Sequence, residues 1–273
     1  MRQMIKFLLL TLFSLITVSN VSCDSVYVGD VNLFASSNEE TPEDFDPASI
    51  SNLNVWLKAS TDVFVDTAMT DPATDGETIR RWVDQSSNGY TVSAASDATP
   101  TIDTSAFSGA GAVVFDGVDD SMTFSNGSQA QPYTMVFVLN TLTNKANDAL
   151  LVNGVFDNII QKGSSGALRL NNNTANIRSS AISGEAIVVF RIDGASSEVY
   201  QNGGTADATA NMSTDDFPTS KRIGSRFATN NNTTTMHFEL GEMLIYEKAL
   251  SDSELNDLGS HLGTKYGITW TDI

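Results

Sequence analysis

The chain has 273 residues, enough for one large domain or two small ones with a sizeable core. Apolar residues make up 41% and aromatic residues 8%, as in an ordinary globular protein, but 33 acids stand against 15 bases, giving a net charge of −18. A surface this acidic repels nucleic acid and anionic membranes, so neither is expected as a partner; it suits an exported protein whose carboxylates are free to hold divalent cations.

Residues 1–22 read as an export signal. Arg2 and Lys6 supply a positive start, and "FLLLTLFSLITV" (Phe7–Val18) is an apolar run too short to cross a bilayer comfortably. No other long apolar run follows, so no transmembrane helix is expected in the mature chain, which is expected to be secreted or held at the cell surface. Cys23 is the only cysteine, which excludes an internal disulfide. Directly after Ser22 it is a candidate lipidation site of the bacterial lipoprotein kind, with plain cleavage near Ser22 as the alternative.

Residues 23–49 form an acidic tether. "SSNEETPEDFDP" carries too little apolar surface to order itself, although "SVYVGDVNLF" inside it alternates like a strand. From residue 50 to residue 273 the pattern is β. Short runs such as "LNVWLK", "GAVVF", "SMTFS", "YTMVFVLN", "EAIVVFRI", "SEVYQ" and "MHFELGEMLIYE" are separated by Asn, Gly, Asp and Ser clusters. Many strands at turn spacing in one domain predict an all-β, antiparallel sandwich. One helix is predicted near the end. Ser251 and Glu254 have capping-box spacing, Leu255, Leu258 and Leu262 share a face, and Gly263 is placed to stop it.

Four segments, "LNVWLKAS" (53–60), "RRWVDQSSNGYTV" (80–92), "AVVFDGVDDSMTF" (112–124) and "GEMLIYEKALSDSELNDLGSHLGTKYGI" (241–268), in this order resemble the laminin-G-like domains of the concanavalin A-like lectin and glucanase superfamily. The resemblance implies a jelly-roll sandwich over residues 50–270. It constrains function only loosely, because such folds host lectins, adhesion modules, hydrolases, lyases and capsid proteins.

Glucanases of this superfamily set three acids on one strand as E-x-D-x-E, all facing one cleft. Here "FELGEM" places Glu239 and Glu242 three apart, on opposite faces of a regular strand, and the middle acid is missing. A regular strand would also put Glu242 on the face of Met236, Phe238 and Leu240, which calls for a basic partner, expected from Lys221–Arg226; a bulge at Gly241 would flip this parity and cancel the argument. His237 and His261 carry neither a triad nor a zinc spacing. An acidic-polysaccharide lyase is disfavoured by the small number of bases.

Asp116, Asp119 and Asp120 in "DGVDD" have two readings: a turn around Gly117, or a calcium site completed by carbonyls of "DQSSNG" (84–89). A sugar platform is expected at Tyr90 and Phe227, with Asp84, Asn88 and Asn230 as polar neighbours. Trp56 and Trp82 read as packing residues. The chain is therefore expected to be non-catalytic and to bind a glycan or cell-surface polysaccharide, with calcium as the cofactor of the aspartate reading. The alternative is a structural or adhesion module tethered to an envelope or virion protein; a hydrolase or lyase ranks below both.

Overall fold

The computed structural model describes residues 26–28, 31–33, 45–94, 98–142, 148–153, 158–172, 174–226 and 235–273. The expected signal, Cys23, Phe227 and Asn230 lie outside the described residues. The chain divides into two compact units, 1–41 and 42–273. In the first, "SVYVGDVNLF" is two strands and not one: β1 (Val26–Val28) pairs antiparallel with β2 (Val31–Leu33). The two residues between them are Gly and Asp, a dipeptide suited to a two-residue hairpin connection.

The second unit contains β3 (Leu53–Lys58), β4 (Val63–Phe64), β5 (Arg81–Val83), β6 (Thr91–Ala94), β7 (Thr101–Asp103), β8 (Ala112–Asp116), β9 (Met122–Ser125) and β10 (Tyr133–Thr141). It continues with β11 (Asp148–Asn153), β12 (Ile159–Lys162), β13 (Ala167–Asn171), β14 (Asn176–Ala181), β15 (Glu185–Ile192), β16 (Ser197–Gln201), β17 (Ala208–Ala210), β18 (Ser220–Ile223) and β19 (His237–Tyr246). Helix α1 (Asp252–Tyr266) follows.

These strands form two antiparallel sheets, as expected for a sandwich. One has the order β17-β16-β15-β10-β19-β8-β7, with β3 also paired to β19. The other has the order β14-β13-β12-β11-β18-β9-β6-β5-β4. Alternate residues of both sheets point inward and make the main core, which includes Trp82, Phe115, Phe137, Phe190, Phe238 and Ile223. Phe115 and Phe238 stack with centroids 4.6 Å apart across the β8–β19 pair.

The outer face of the first sheet is covered by α1. Leu255, Leu258 and Leu262 pack there with Val136, Ile187 and Leu244. The capping box forms as read: Ser251 Oγ accepts from the Glu254 amide, and the Glu254 carboxylate accepts from the Ser251 amide. The helix does not stop at Gly263. It runs to Tyr266 and is capped by Gly267 at φ 69°. Gly263 has a different task, because a Cβ there would lie 2.5 Å from the Ile268 carbonyl. The missing side chain lets the C-terminal segment fold back across the helix.

Phe45 and Pro47, upstream of the expected domain start, also pack on this side. Phe45 tilts against His261 at 5.4 Å, and the Tyr246 hydroxyl donates to the Pro47 carbonyl at 3.1 Å. The C-terminal segment closes the same side, with the Thr271 amide donating to Asn202 and its carbonyl accepting from Gly204.

Candidate functional site

The pairing of β19 shifts by one residue at Gly241: Glu242 faces Val138, but Leu240 faces Leu139. This bulge reverses the face of every residue before it relative to a regular strand. Phe238 and Leu240 belong to the main core, and Glu242 sits with Leu244 and Tyr246 on the helix side. Glu239 and Glu242 therefore share the helix-side face, contrary to the regular-strand expectation.

Glu242 also has different partners from those expected. It is fully buried and accepts from Trp56 Nε1, from Lys265 Nζ and from the Tyr266 hydroxyl at 2.7 Å. Burial pulls the Lys265 amine below its ordinary value, with the Glu242 charge opposing, and pushes the Tyr266 phenol up. A carboxylate held by three side chains from β3 and α1 is closed to substrate. Glu242 is therefore a structural pin, and Trp56 belongs to it as much as to packing. Trp82 is fully buried and donates to the Lys58 carbonyl at 3.1 Å, as a packing residue should.

Asp84 is buried, and its carboxylate closes its own loop. It accepts from Trp56 N at 2.6 Å, Ser86 N at 2.9 Å, Ser86 Oγ at 2.6 Å and Tyr90 N at 3.2 Å. That makes it the peg of the loop and not a sugar contact. Asn88 is exposed and donates to the Asn54 carbonyl at 3.0 Å; Tyr90 is half-buried against the main core.

The same end of the sandwich holds a buried polar network. Asn126 donates to Asn54 Oδ1 at 2.7 Å, and Asn54 donates to Glu247 at 2.9 Å. Lys221 is 2% exposed and donates to Asn126 Oδ1 at 2.6 Å, Pro218 O at 2.8 Å and Gly127 O at 3.2 Å. Burial draws its amine down to about 7. The sequence reading missed this network. Its signal was a lysine at an inward position of "SKRI", one residue from the start of a short strand.

The three aspartates do converge. Ligand oxygens of Asp116, Asp119 and Asp120 all lie within 4.8 Å of one another. Asp116 Oδ1 accepts from Val118 N at 2.7 Å, and Asp120 Oδ2 accepts from Asp116 N at 2.8 Å. Gly117, at φ 74°, is required: a Cβ would lie 2.7 Å from His237 Cβ on the paired strand. Thr235 Oγ1 donates to the Gly117 carbonyl at 2.6 Å. Burial, then the charges of Asp116 and Asp119, raise the Asp120 carboxyl to about 6 against the amide of Asp116, which lowers it.

The calcium reading expected carbonyls from residues 84–89 to complete this shell, but the register forbids it. Ser93 pairs with Thr123 and Ala94 with Met122, so the 84–90 loop lies at the Ser125 end of β9. The aspartates precede Met122 at the other end, roughly 13 Å of strand away.

No known protein family matches the sequence, and no curated protein matches it. Among solved structures the fold recurs. The Trypanosoma rangeli sialidase in complex with sialic acid superposes at a TM-score of 0.55 and 13% identity, covering 80% of this chain and 34% of that one. A mutant of HCR D/C VPI 5995 superposes at 0.53 and 13% identity, covering 77% of this chain and 52% of that one. The chain spans about a third and about half of their lengths, and the likeness is one of fold.

Proposed function

We propose that this chain is an exported, non-catalytic glycan-binding module of the laminin-G-like, concanavalin A-like kind, with calcium held by Asp116, Asp119 and Asp120. The observation that carries the calcium part is the packing of three carboxylates on one glycine-fixed turn. Their donors are the hard oxygens calcium prefers, and their mutual repulsion is what a divalent cation relieves. The sugar part is supported by the resemblance of the four segments to a lectin-bearing superfamily. The sialidase that shares the fold is a structure with sialic acid, which makes sugars the first ligands to test.

The test is binding of residues 24–273 to a broad polysaccharide panel, in calcium and again in chelator. Glycan binding is expected, with a calcium-dependent rise in melting temperature that Asp119→Ala and Asp120→Ala abolish. If those variants keep the calcium response, the metal assignment falls. Silence across the panel from a folded sample turns the search toward protein partners.

Asp120 makes a second prediction. Its folded-state value lies above the ordinary carboxylate value, so its stabilising contribution is present below about pH 4 and is lost as pH rises through about 6. At pH 7 without calcium the charged form is a liability, and Asp120→Asn is expected to stabilise by roughly 1–2 kcal/mol. Denaturant unfolding in chelator at pH 4 and pH 7 checks it; destabilisation at pH 7 would refute it.

A further inference from the structure

The arginines of this acidic chain are concentrated. Register across β5, β6, β9 and β18 places Arg81, Ser93, Thr123 and Arg222 in one row. The row continues through Val152, Ile159, Asn171 and Asn176, of which Val152 and Ile159 are buried in a small apolar cluster with Ala149, so the arginines fall into two groups on either side of it. Two residues along, Gln161, Arg169 and Arg178 form a second row on the same face. This is the outer face of the nine-stranded sheet, because the alternate residues Trp82, Val92, Met122, Ile223, Leu170 and Ile177 fill the core.

Four arginines on this face lack a carboxylate. Among the described residues the salt bridges belong to Arg191, Lys248 and Lys265, not to Arg81, Arg169, Arg178 or Arg222. Arg81 donates to its neighbour's carbonyl at 2.9 Å, Arg178 to Asn176 Oδ1 at 3.3 Å and Arg222 to Ser121 Oγ at 3.3 Å. Among the described residues neither row contains an Asp or Glu, in a chain with 33 acids.

Arg169 and Arg178 sit directly opposite each other, a like-charge pairing that costs stability. The buried Nε of Arg169 and the Oε1 of its cross-strand neighbour Gln161, which is 3% exposed, have no hydrogen-bond partner. These groups sit beside the like-charge pair, where an anion would offset the repulsion. A cavity of about 270 Å³ lies at the β9–β18 pair, lined by Thr123, Phe124, Ser125, Ser220, Lys221 and Arg222.

We propose that this face binds an acidic polysaccharide whose acid groups are carboxylates, a polyuronate. Arg222 lines the cavity, Arg81 stands in the same row two strands from Thr123, and Arg169 and Arg178 hold a further carboxylate. Arginine at all four positions selects planar, two-oxygen groups that its fork meets bidentately. The hydroxyls of Ser93, Thr123, Ser125 and Ser220 and the amides of Asn171 and Asn176 are suited to the sugar hydroxyls between acid groups. The acidic remainder of the surface confines a polyanion to this face. The inference rests on the glycan reading above and names its ligand class.

The test is calorimetry of residues 24–273 with polygalacturonate at low and moderate salt, beside neutral β-glucan and arabinan, dextran sulfate and duplex DNA. The variants are R81Q/R222Q and R169Q/R178Q. Polygalacturonate is expected to bind, more weakly as salt rises, and each double variant to lose about tenfold or more in affinity. Melting temperature is expected to hold, or to rise in R169Q/R178Q, whereas a structural role predicts a fall. Neutral-glycan binding without polygalacturonate binding overturns this proposal and leaves the glycan reading standing. So does affinity unchanged in both variants, or preference for dextran sulfate or DNA. No glycan bound at all removes both.

Discussion

Replacing Glu242 by alanine is expected to lower the melting temperature by about 10 °C, more than any other substitution considered. The carboxylate is fully buried and accepts from side chains of two other elements, Trp56 on β3 and Lys265 and Tyr266 on α1. Removing it strands a lysine amine and an indole N–H in a desolvated layer and leaves the Tyr266 hydroxyl only the Gly241 carbonyl. Breaking one partner of a buried ion pair typically costs about 3–5 kcal/mol. For a domain of this size each kcal/mol moves the transition by about 2–4 °C. The double replacement Glu242→Leu with Lys265→Met is expected to recover most of the loss, because no charge is then left alone. Thermal unfolding of the single and double variants decides it: if the double variant is as unstable as the single, the ion pair is not what the cluster provides.

Lys221 sets the second large effect, a dependence of stability on pH. Its amine is buried among neutral acceptors, and desolvation lowers it from 10.5 to about 7, with Glu247 opposing. Between these values the unfolded chain holds a proton that the folded chain has released, so stability rises with pH across that window. From pH 7 to pH 9 the gain is on the order of 2–3 kcal/mol, about 1.4 kcal/mol per unit. Lys221→Met is expected to flatten this rise. The scan stops at pH 9 because the buried phenols act the other way. Tyr133, Tyr246 and Tyr266 are all raised above 10, so their contribution is lost as pH climbs past that value. A wild-type curve that is flat or falling from pH 7 to pH 9 would refute the assignment.

The strands that were legible in the sequence are those that alternate or run apolar for five residues or more. "LNVWLK", "EAIVVFRI" and "SEVYQ" coincide with β3, β15 and β16. The short strands β4, β5, β7 and β17 have two or three residues each, too few for a period to show. The aspartate turn was legible because Asp and Gly adjoin in the chain. Lys221 was not, since its burial depends on Asn126 and Gly127, which reach it from a distant segment. Glu242 shows the limit of counting by twos. One extra residue at Gly241 reversed the parity on which its face and partner had been argued. The arginine rows were invisible for the same kind of reason: their members come from eight strands, and only cross-strand register places them side by side.

Phe45, Pro47 and the Thr271 segment all gather on the side covered by α1, and the unpaired arginines look out from the opposite sheet. The sandwich is thus two-sided: one sheet is sealed beneath the helix and the segments at Phe45 and Thr271, while the other carries its arginines on its outer face.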